Sequence, residues 1–413
     1  MLLQTAAARL ALSEPLSARD LHAIERTLNL HHSKWDTRLG GRLTLASQAL
    51  IVPQSEWQAL TRCAEQLGAE TVAMEAEISR RPELFRQLGI PGPLRRCLAS
   101  LDRLAAPGPV RAMRFDFHPT AGGWAVSEVN SDVPGGYGEA TLLPVLYQPF
   151  LERFRRPPAP LTLWADALAS ALDGDTVAFL SAPGYREDHQ VVRVLMQELA
   201  DRGLICHWIQ TPSALDWSGG EPRLRRARQA PVHAIVRFYQ GEWLSQLPRR
   251  TNWRRLLAYS GIVVNPAASI LTESKRLPLI WTRLSASTDV WRSVLPECRD
   301  PRSIGRADRG EWVLKGAFSN TGDSVMIGNE MTAQAWDAAL RVARRQPYGW
   351  VAQRRFETTP LDSANGRLYP CIGVFAINGK AAGAYVRLSP QQLTDGLALE
   401  APLLIRPESD VLP

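Results

Sequence analysis

Apolar positions recur every three or four residues in LSARDLHAIERTLNL, QSEWQALTRCAEQLGAETVAMEAEI and RPELFRQLGI, which predicts helices through residues 1 to 105. The opening stretch MLLQTAAARLALSEPL has the same spacing and reads as an amphipathic helix. Ser55 ahead of Trp57 and Leu60 marks a helix start, and Pro91 with Pro93 interrupts the pattern near its end. Near residue 113 the period changes to two. MRFDF and WAVSEVN, separated by the polar HPTAGG, predict a β-hairpin with a turn longer than two residues. The loop SDVPGGYG, a helix from about Leu142 to Phe154, and the proline-rich joint RRPPAPL come next.

From Asp175 strands and helices alternate: TVAFLSA, the helix HQVVRVLMQELADRG ending at Gly203, then the strands LICHWIQ and VHAIVRF. Alternation of that kind predicts a parallel α/β unit. It has no G-x-G-x-x-G and so implies no dinucleotide. The remainder returns to strands, EWVLKGAF, DSVMIG, WVAQRRF, YPCIGVFAING and KAAGAYVRLS, with the helix MTAQAWDAALRVARR among them.

A length of 413 residues is two to three domains' worth, and 45% hydrophobic with 22% charged residues is globular composition. The net charge of +7 comes almost wholly from Arg, because Lys occurs only at positions 34, 275, 315 and 380. Arginine clusters such as RLRRARQ are therefore read as solvated surface, no nucleic-acid partner is expected, and each lysine merits inspection. Five cysteines, odd in number and without a C-x-x-C, point to a reducing compartment. Arg9 breaks the first apolar stretch, and no run reaches the roughly 18 apolar residues of a membrane span. The expectation is a cytoplasmic protein with no membrane partner.

Strand alternation puts Arg114 and Asp116 on one face of the hairpin and Phe115 and Phe117 on the other, while Glu128 and Asn130 share a face of the second strand. With Arg114 opposite residue 128 or 130, two carboxylates and an amide oxygen converge beside a guanidinium, a donor set suited to Mg²⁺ and phosphate. A solvated face with Arg–Glu cross-strand pairs is the alternative. Lys315 stands in the apolar strand WVLKG just before AFSNTGDS, a cation followed by small and hydroxyl residues, as a nucleotide phosphate site requires. There is no Walker A pattern, and a structural lysine in an ion pair is equally compatible. His31 and His32 are adjacent and face apart; His118 begins a turn; Cys63 and Cys97 lie in helical segments as small core residues.

RFDF, SEVNSDVPG, SKRLPLIW, VLKG, VAQRRF, INGKAAG and YVRLS, in that order from about residue 30 to about 405, resemble the glutathionylspermidine synthase family of circularly permuted ATP-grasp ligases. The resemblance implies an α/β (α+β) fold in four parts. These are a helical N-terminal region (1–105), a metal-binding hairpin and following helix of the ATP-grasp core (106–160), a Rossmann-like pre-ATP-grasp α/β domain (161–270), and the ATP-grasp nucleotide-binding strands and lid (271–413). It implies Mg²⁺ on Asp116, Glu128 and Asn130, with Arg114 at the γ-phosphate. Lys275 and Lys315 grip the ATP phosphates, Gly322 belongs to the phosphate loop, Gln353 contacts adenine, and Arg387 steadies developing charge. The implied activity joins a peptide or small-molecule carboxylate to an amine through an acyl phosphate, with ATP and Mg²⁺, and a lid at 316–324 excludes water. The loop after Lys315 has less glycine than the family pattern. With about 100 residues ahead of the hairpin and no Cys-His motif, an amidase domain is not expected. The alternative is a nucleotide-binding scaffold or regulatory protein without turnover, and a homodimer is the default assembly.

Overall fold

The computed structural model describes residues 9–102, 104, 108–227, 229–319 and 324–408. It is a mixed α/β structure in which three sheets position the candidate site.

The central sheet is antiparallel and runs, edge to edge, Leu399–Ala401, Lys380–Ser389, Gly366–Ile377, Ala112–Thr120 and Gly123–Asn130. Its hairpin turns over only Ala121 and Gly122, because Thr120 pairs with Gly123. The expected longer turn is thus corrected: His118, Pro119 and Thr120 continue the strand. Asp116 opposes Glu128 but Phe117 opposes Val126, so Ser127 is the extra residue of a bulge. Phe115, Phe117 and Val126 are fully buried and join one core with Leu60, Leu67 and Met74 of the helix Gln54–Ser79. Burying a phenylalanine in this way contributes on the order of 2–3 kcal/mol. The long helix covers one face of the sheet and leaves the other free to carry charge.

The parallel sheet has the order Ile262–Val264, Ala234–Phe238, Thr176–Ser181 and Ile205–Ile209, with the helix Arg186–Ala200 connecting its last two strands in chain order Thr176 to Ile209. The third sheet is antiparallel, Cys298–Arg299, Trp350–Arg354, Trp312–Gly316 and Val325–Ile327. Trp312, Leu314 and Ala352 on one of its faces pack on Trp336 and Leu340 of the helix Ala333–Arg345. Thr332 caps that helix by accepting from the Ala335 N–H at 3.2 Å.

The amino-terminal third departs from the all-helical expectation. Ala18–His31 and Gln54–Ser79 are helices, but Ala11–Leu12 and Leu50–Pro53 are strands of a three-stranded sheet completed by Leu403–Arg406. Leu50, Ile51 and Val52 are a continuous apolar run, buried on both faces, and their partners lie far away in sequence. RPELFRQLGI supplies only the single 3-10 turn Pro82–Leu84. Pro91 and Pro93 open the helix Gly92–Leu98, since a proline in the first turn lacks only an N–H that has no helical partner there. The helix expected at 142–154 is Tyr137–Tyr147 followed by a 3-10 turn. Among the described residues no helix is long and apolar enough to cross a membrane.

Candidate functional site

A cleft with a cavity volume of about 390 Å³ opens where the central sheet, the third sheet and the loops after two parallel strands meet. On its floor Asp116 is fully buried and accepts from Arg114 Nε at 2.8 Å and from Arg387 Nη2 at 2.7 Å. Asn130 Nδ2 lies 3.4 Å from the same carboxylate. Cross-strand register explains the convergence, because Arg114 opposes Asn130 and Asp116 opposes Glu128. Arg387 arrives from the strand beyond, opposite Cys371, whose Sγ is 3.2 Å from Nη2. Glu128 lies 3.3 Å from Lys275 Nζ, which also donates to the Ser319 carbonyl at 2.8 Å.

Lys315 and Gln353 are brought together by a feature the hairpin pattern did not announce. Both donate to the carbonyl of the bulged Ser127, at 3.2 and 3.3 Å. Among the described residues Lys315 has no carboxylate within ion-pair distance, so the alternative of a structural ion pair does not describe it. Gln353 lies on an inner strand, flanked by Cys298 and Val313, and is not an edge residue. Gly322 and most of the proposed lid lie outside the described residues. His118, expected at the start of a turn, lies in the strand Ala112–Thr120, where its ring packs 5.1 Å from Phe356 and lines the cleft.

Electrostatics follow from burial and excess cation. Burial alone would raise the Asp116 carboxyl, but Arg114 and Arg387 hold it well below its ordinary range. Glu128 is likewise raised by burial and lowered on balance by Lys275 and Lys315. Burial lowers Lys315, whereas Lys275, also desolvated, is raised on balance by Glu128 and Glu273. Burial brings His118 down to about 4, so it is neutral near pH 7. Four cations around two carboxylates leave net positive charge at the floor of the cleft.

The loop after Asn130 is held from behind by residues that sequence reasoning missed. Glu273 Oε2 accepts from the Ser131 and Asp132 N–H groups at 2.6 and 2.8 Å. Asp132 accepts from Arg237 Nη1 at 2.9 Å, Ser269 Oγ at 2.7 Å and the Gly241 N–H at 3.0 Å. Asn265 Nδ2 donates to the carbonyls of Ala112 and Asp132 at 2.8 and 3.0 Å. These bonds lock the metal-candidate hairpin onto the parallel sheet. Asp132 was visible as the last acid of E-x-N-x-D; Glu273 and Asn265 carried no local signal. At the far end of the cleft stand Glu187, Asp188 and Gln240, just past the carboxyl ends of the neighbouring strands Thr176–Ser181 and Ala234–Phe238. Such crevices are where open α/β sheets bind ligands.

A family model described as glutathionylspermidine synthase preATP-grasp matches residues 22–406. No curated protein sequence matches the chain. Among solved structures, a glutathione synthetase-like effector from Globodera pallida in its apo form is similar at 13% identity and a TM-score of 0.67, over 94% of this chain and 96% of that one. A putative gamma-glutamylcysteine synthetase from Methylobacillus flagellatus is similar at 11% identity and a TM-score of 0.45, over 81% of this chain and 86% of that one. The first of these carries the fold, of the ATP-grasp kind, and in this chain the parallel unit lies between the hairpin and the third sheet. Matched over residues 22–406, the chain belongs to the glutathionylspermidine synthase pre-ATP-grasp family and is a ligase of the ATP-grasp synthetase kind.

Proposed function

We propose that the chain is an ATP- and Mg²⁺-dependent ligase that joins a peptide or small-molecule carboxylate to a polyamine or other amine, forming an amide through an acyl phosphate. The observation that carries this reading is the excess of buried cation, Arg114, Lys275, Lys315 and Arg387 around Asp116 and Glu128. A polyphosphate supplies the missing negative charge. Asp116, Glu128 and Asn130 offer only hard oxygen donors for a metal, which fits Mg²⁺. Bound there, Mg²⁺ would neutralise phosphate charge and make the γ-phosphorus more electrophilic.

In this mechanism Lys275 and Lys315 hold the phosphates and Arg114 orients the γ-phosphoryl group. A substrate carboxylate oxygen bonds to the γ-phosphorus as the bond to the bridging oxygen breaks, and ADP departs. The amine nitrogen then adds to the acyl carbon and phosphate leaves. Arg387 neutralises the oxyanion of the tetrahedral species, a contact of a kind whose loss lowers rate by roughly 10²–10³. At the far end Asp188 Oδ2 and Gln240 Oε1 have no hydrogen-bond partner among the described residues; Gln240 offers an acceptor for an amine N–H, and Asp188 offers a second once an amine takes up its proton.

The test is Mg²⁺-dependent ADP release with a pool of short peptides, glutathione, amino acids and polyamines, with product masses read from the same tube. A product weighing two pool members less one water supports the ligase. Mg-ATP binding without ADP release from any pool member supports the scaffold instead.

A further inference from the structure

Arg114 and Arg387 reach Asp116 from different strands, and one aromatic ring serves both. Their guanidinium carbons lie 5.4 and 5.5 Å from the centroid of the Tyr385 ring. Tyr385 and Arg387 are two apart on one strand and therefore share its cleft face. Arg114 starts two strands away and has to cross the intervening strand at Gly373. A β-carbon there would lie 2.7 Å from Arg114 Cδ and 2.9 Å from Asp116 Oδ1, so no larger residue lets the guanidinium pass. Beside the ring stands Gly136, at φ +90°, where a β-carbon would come within 2.6 Å of two ring carbons.

The ring is also fixed by its hydroxyl. Tyr385 donates to Glu400 Oε1 at 3.2 Å, and Glu400 Oε2 lies 2.9 Å from Lys34 Nζ. Lys34 is buried and further bonded to Glu139 at 2.6 Å and Asp36 at 2.9 Å. Three segments, the stretch after the first helix, the helix Tyr137–Tyr147 and the edge strand Leu399–Ala401, are thereby tied together at the foot of one side chain. Two like charges crowd a single carboxylate at Asp116, and the negative face of an aromatic ring attracts both.

We propose that Tyr385 is a positioning residue: its ring, seated against Gly136 and anchored through Glu400 to Lys34, fixes where Arg114 and Arg387 present their guanidinium groups. The inference rests on the nucleotide reading of the cleft. Its test is calorimetric titration of the full chain with Mg-ATP, together with thermal melts.

Wild type binds Mg-ATP, Tyr385→Leu binds about tenfold more weakly, and Tyr385→Phe, which keeps the ring, stays within about threefold of wild type. In an Arg114→Met background the further loss from Tyr385→Leu is clearly smaller than the tenfold loss seen alone, because only the ring's action through Arg387 remains. Additive losses in that double-mutant cycle, wild-type affinity in Tyr385→Leu, or equal losses in the Phe and Leu variants would overturn the proposal. Should Tyr385→Leu fail to fold, Gly373→Ala displaces Arg114 with the tyrosine intact and carries the same expected tenfold loss; wild-type affinity there overturns it. Absence of Mg-ATP binding by wild type overturns the nucleotide reading itself and takes this inference with it.

Discussion

Replacing Asp188 by asparagine is expected to stabilise the fold at neutral pH and to leave it unchanged near pH 4. The carboxyl sits in the first turn of the helix Arg186–Ala200, only 6% exposed, with Oδ2 unpartnered. Burial pushes it from the ordinary 3.8 to about 8, with Glu187 adding to the rise and a hydrogen bond from Gln240 opposing it. Between those values the folded chain keeps a proton that the unfolded chain has lost, so stability falls as pH rises through the window. At roughly 1.4 kcal/mol per pH unit the penalty is nil below pH 4, about 2 kcal/mol at pH 5.5 and about 4 kcal/mol at pH 7. Asparagine has the same shape, is neutral in both states and can still pair with Gln240. Urea midpoints of both proteins by tryptophan fluorescence at pH 4, 5.5 and 7 measure the difference directly. A gap between variant and wild type that does not widen with pH would refute the reasoning. The gain should come with weaker amine use, as groups held for a ligand commonly lower stability.

Arg237→Met should destabilise the protein by about 3–5 kcal/mol in urea, because it strands the Asp132 charge, 2% exposed, that now has a buried guanidinium partner. Lys315→Ala should weaken Mg-ATP binding by at least about tenfold in calorimetry while leaving the thermal midpoint unchanged or higher, since among the described residues its ammonium hydrogen-bonds only to a main-chain carbonyl. Glu128→Gln should abolish Mg²⁺-dependent ADP release with an unchanged circular dichroism spectrum; retained turnover would remove the residue from the metal set. Thr332→Ala should cost about 1 kcal/mol through the lost cap of the helix Ala333–Arg345.

The changes of period between two and three to four made the hairpin and the long helix legible, while the parallel strands Thr176–Ser181 and Ala234–Phe238, buried on both faces, showed as apolar runs alternating with helical segments. Alternation alone put Arg114 with Asp116 and Glu128 with Asn130 on a face of each strand, and the register that sets Arg114 opposite Asn130 brings the four together. What escaped was set by pairing over long sequence distances. Leu50–Pro53 is a strand because Leu403–Arg406 lies beside it, and nothing near residue 50 says so. Ser127 looks like any polar strand position, yet the bulge turns its carbonyl toward Lys315 and Gln353. Glu273 supports the loop through two main-chain N–H groups, a role that any acid in a helical turn could have. The prolines at 91 and 93 were visible, but whether a proline ends one helix or begins the next depends on the residues that pack around it.

The three-stranded sheet of Ala11–Leu12, Leu50–Pro53 and Leu403–Arg406 has a consequence for synthesis. On the ribosome, Leu50–Pro53 is made some 350 residues before its parallel partner. At roughly 5–20 residues per second, that strand waits on the order of 20–70 s with an apolar edge unpaired. Ala112–Thr120 waits similarly for Gly366–Ile377. The decisive step of folding therefore waits for the far partner strands to be made, is slow in the way long-range pairing is slow, and leaves the chain exposed to aggregation in the interval. A chaperone that shields Leu50, Ile51 and Val52 during elongation should raise the yield of folded protein.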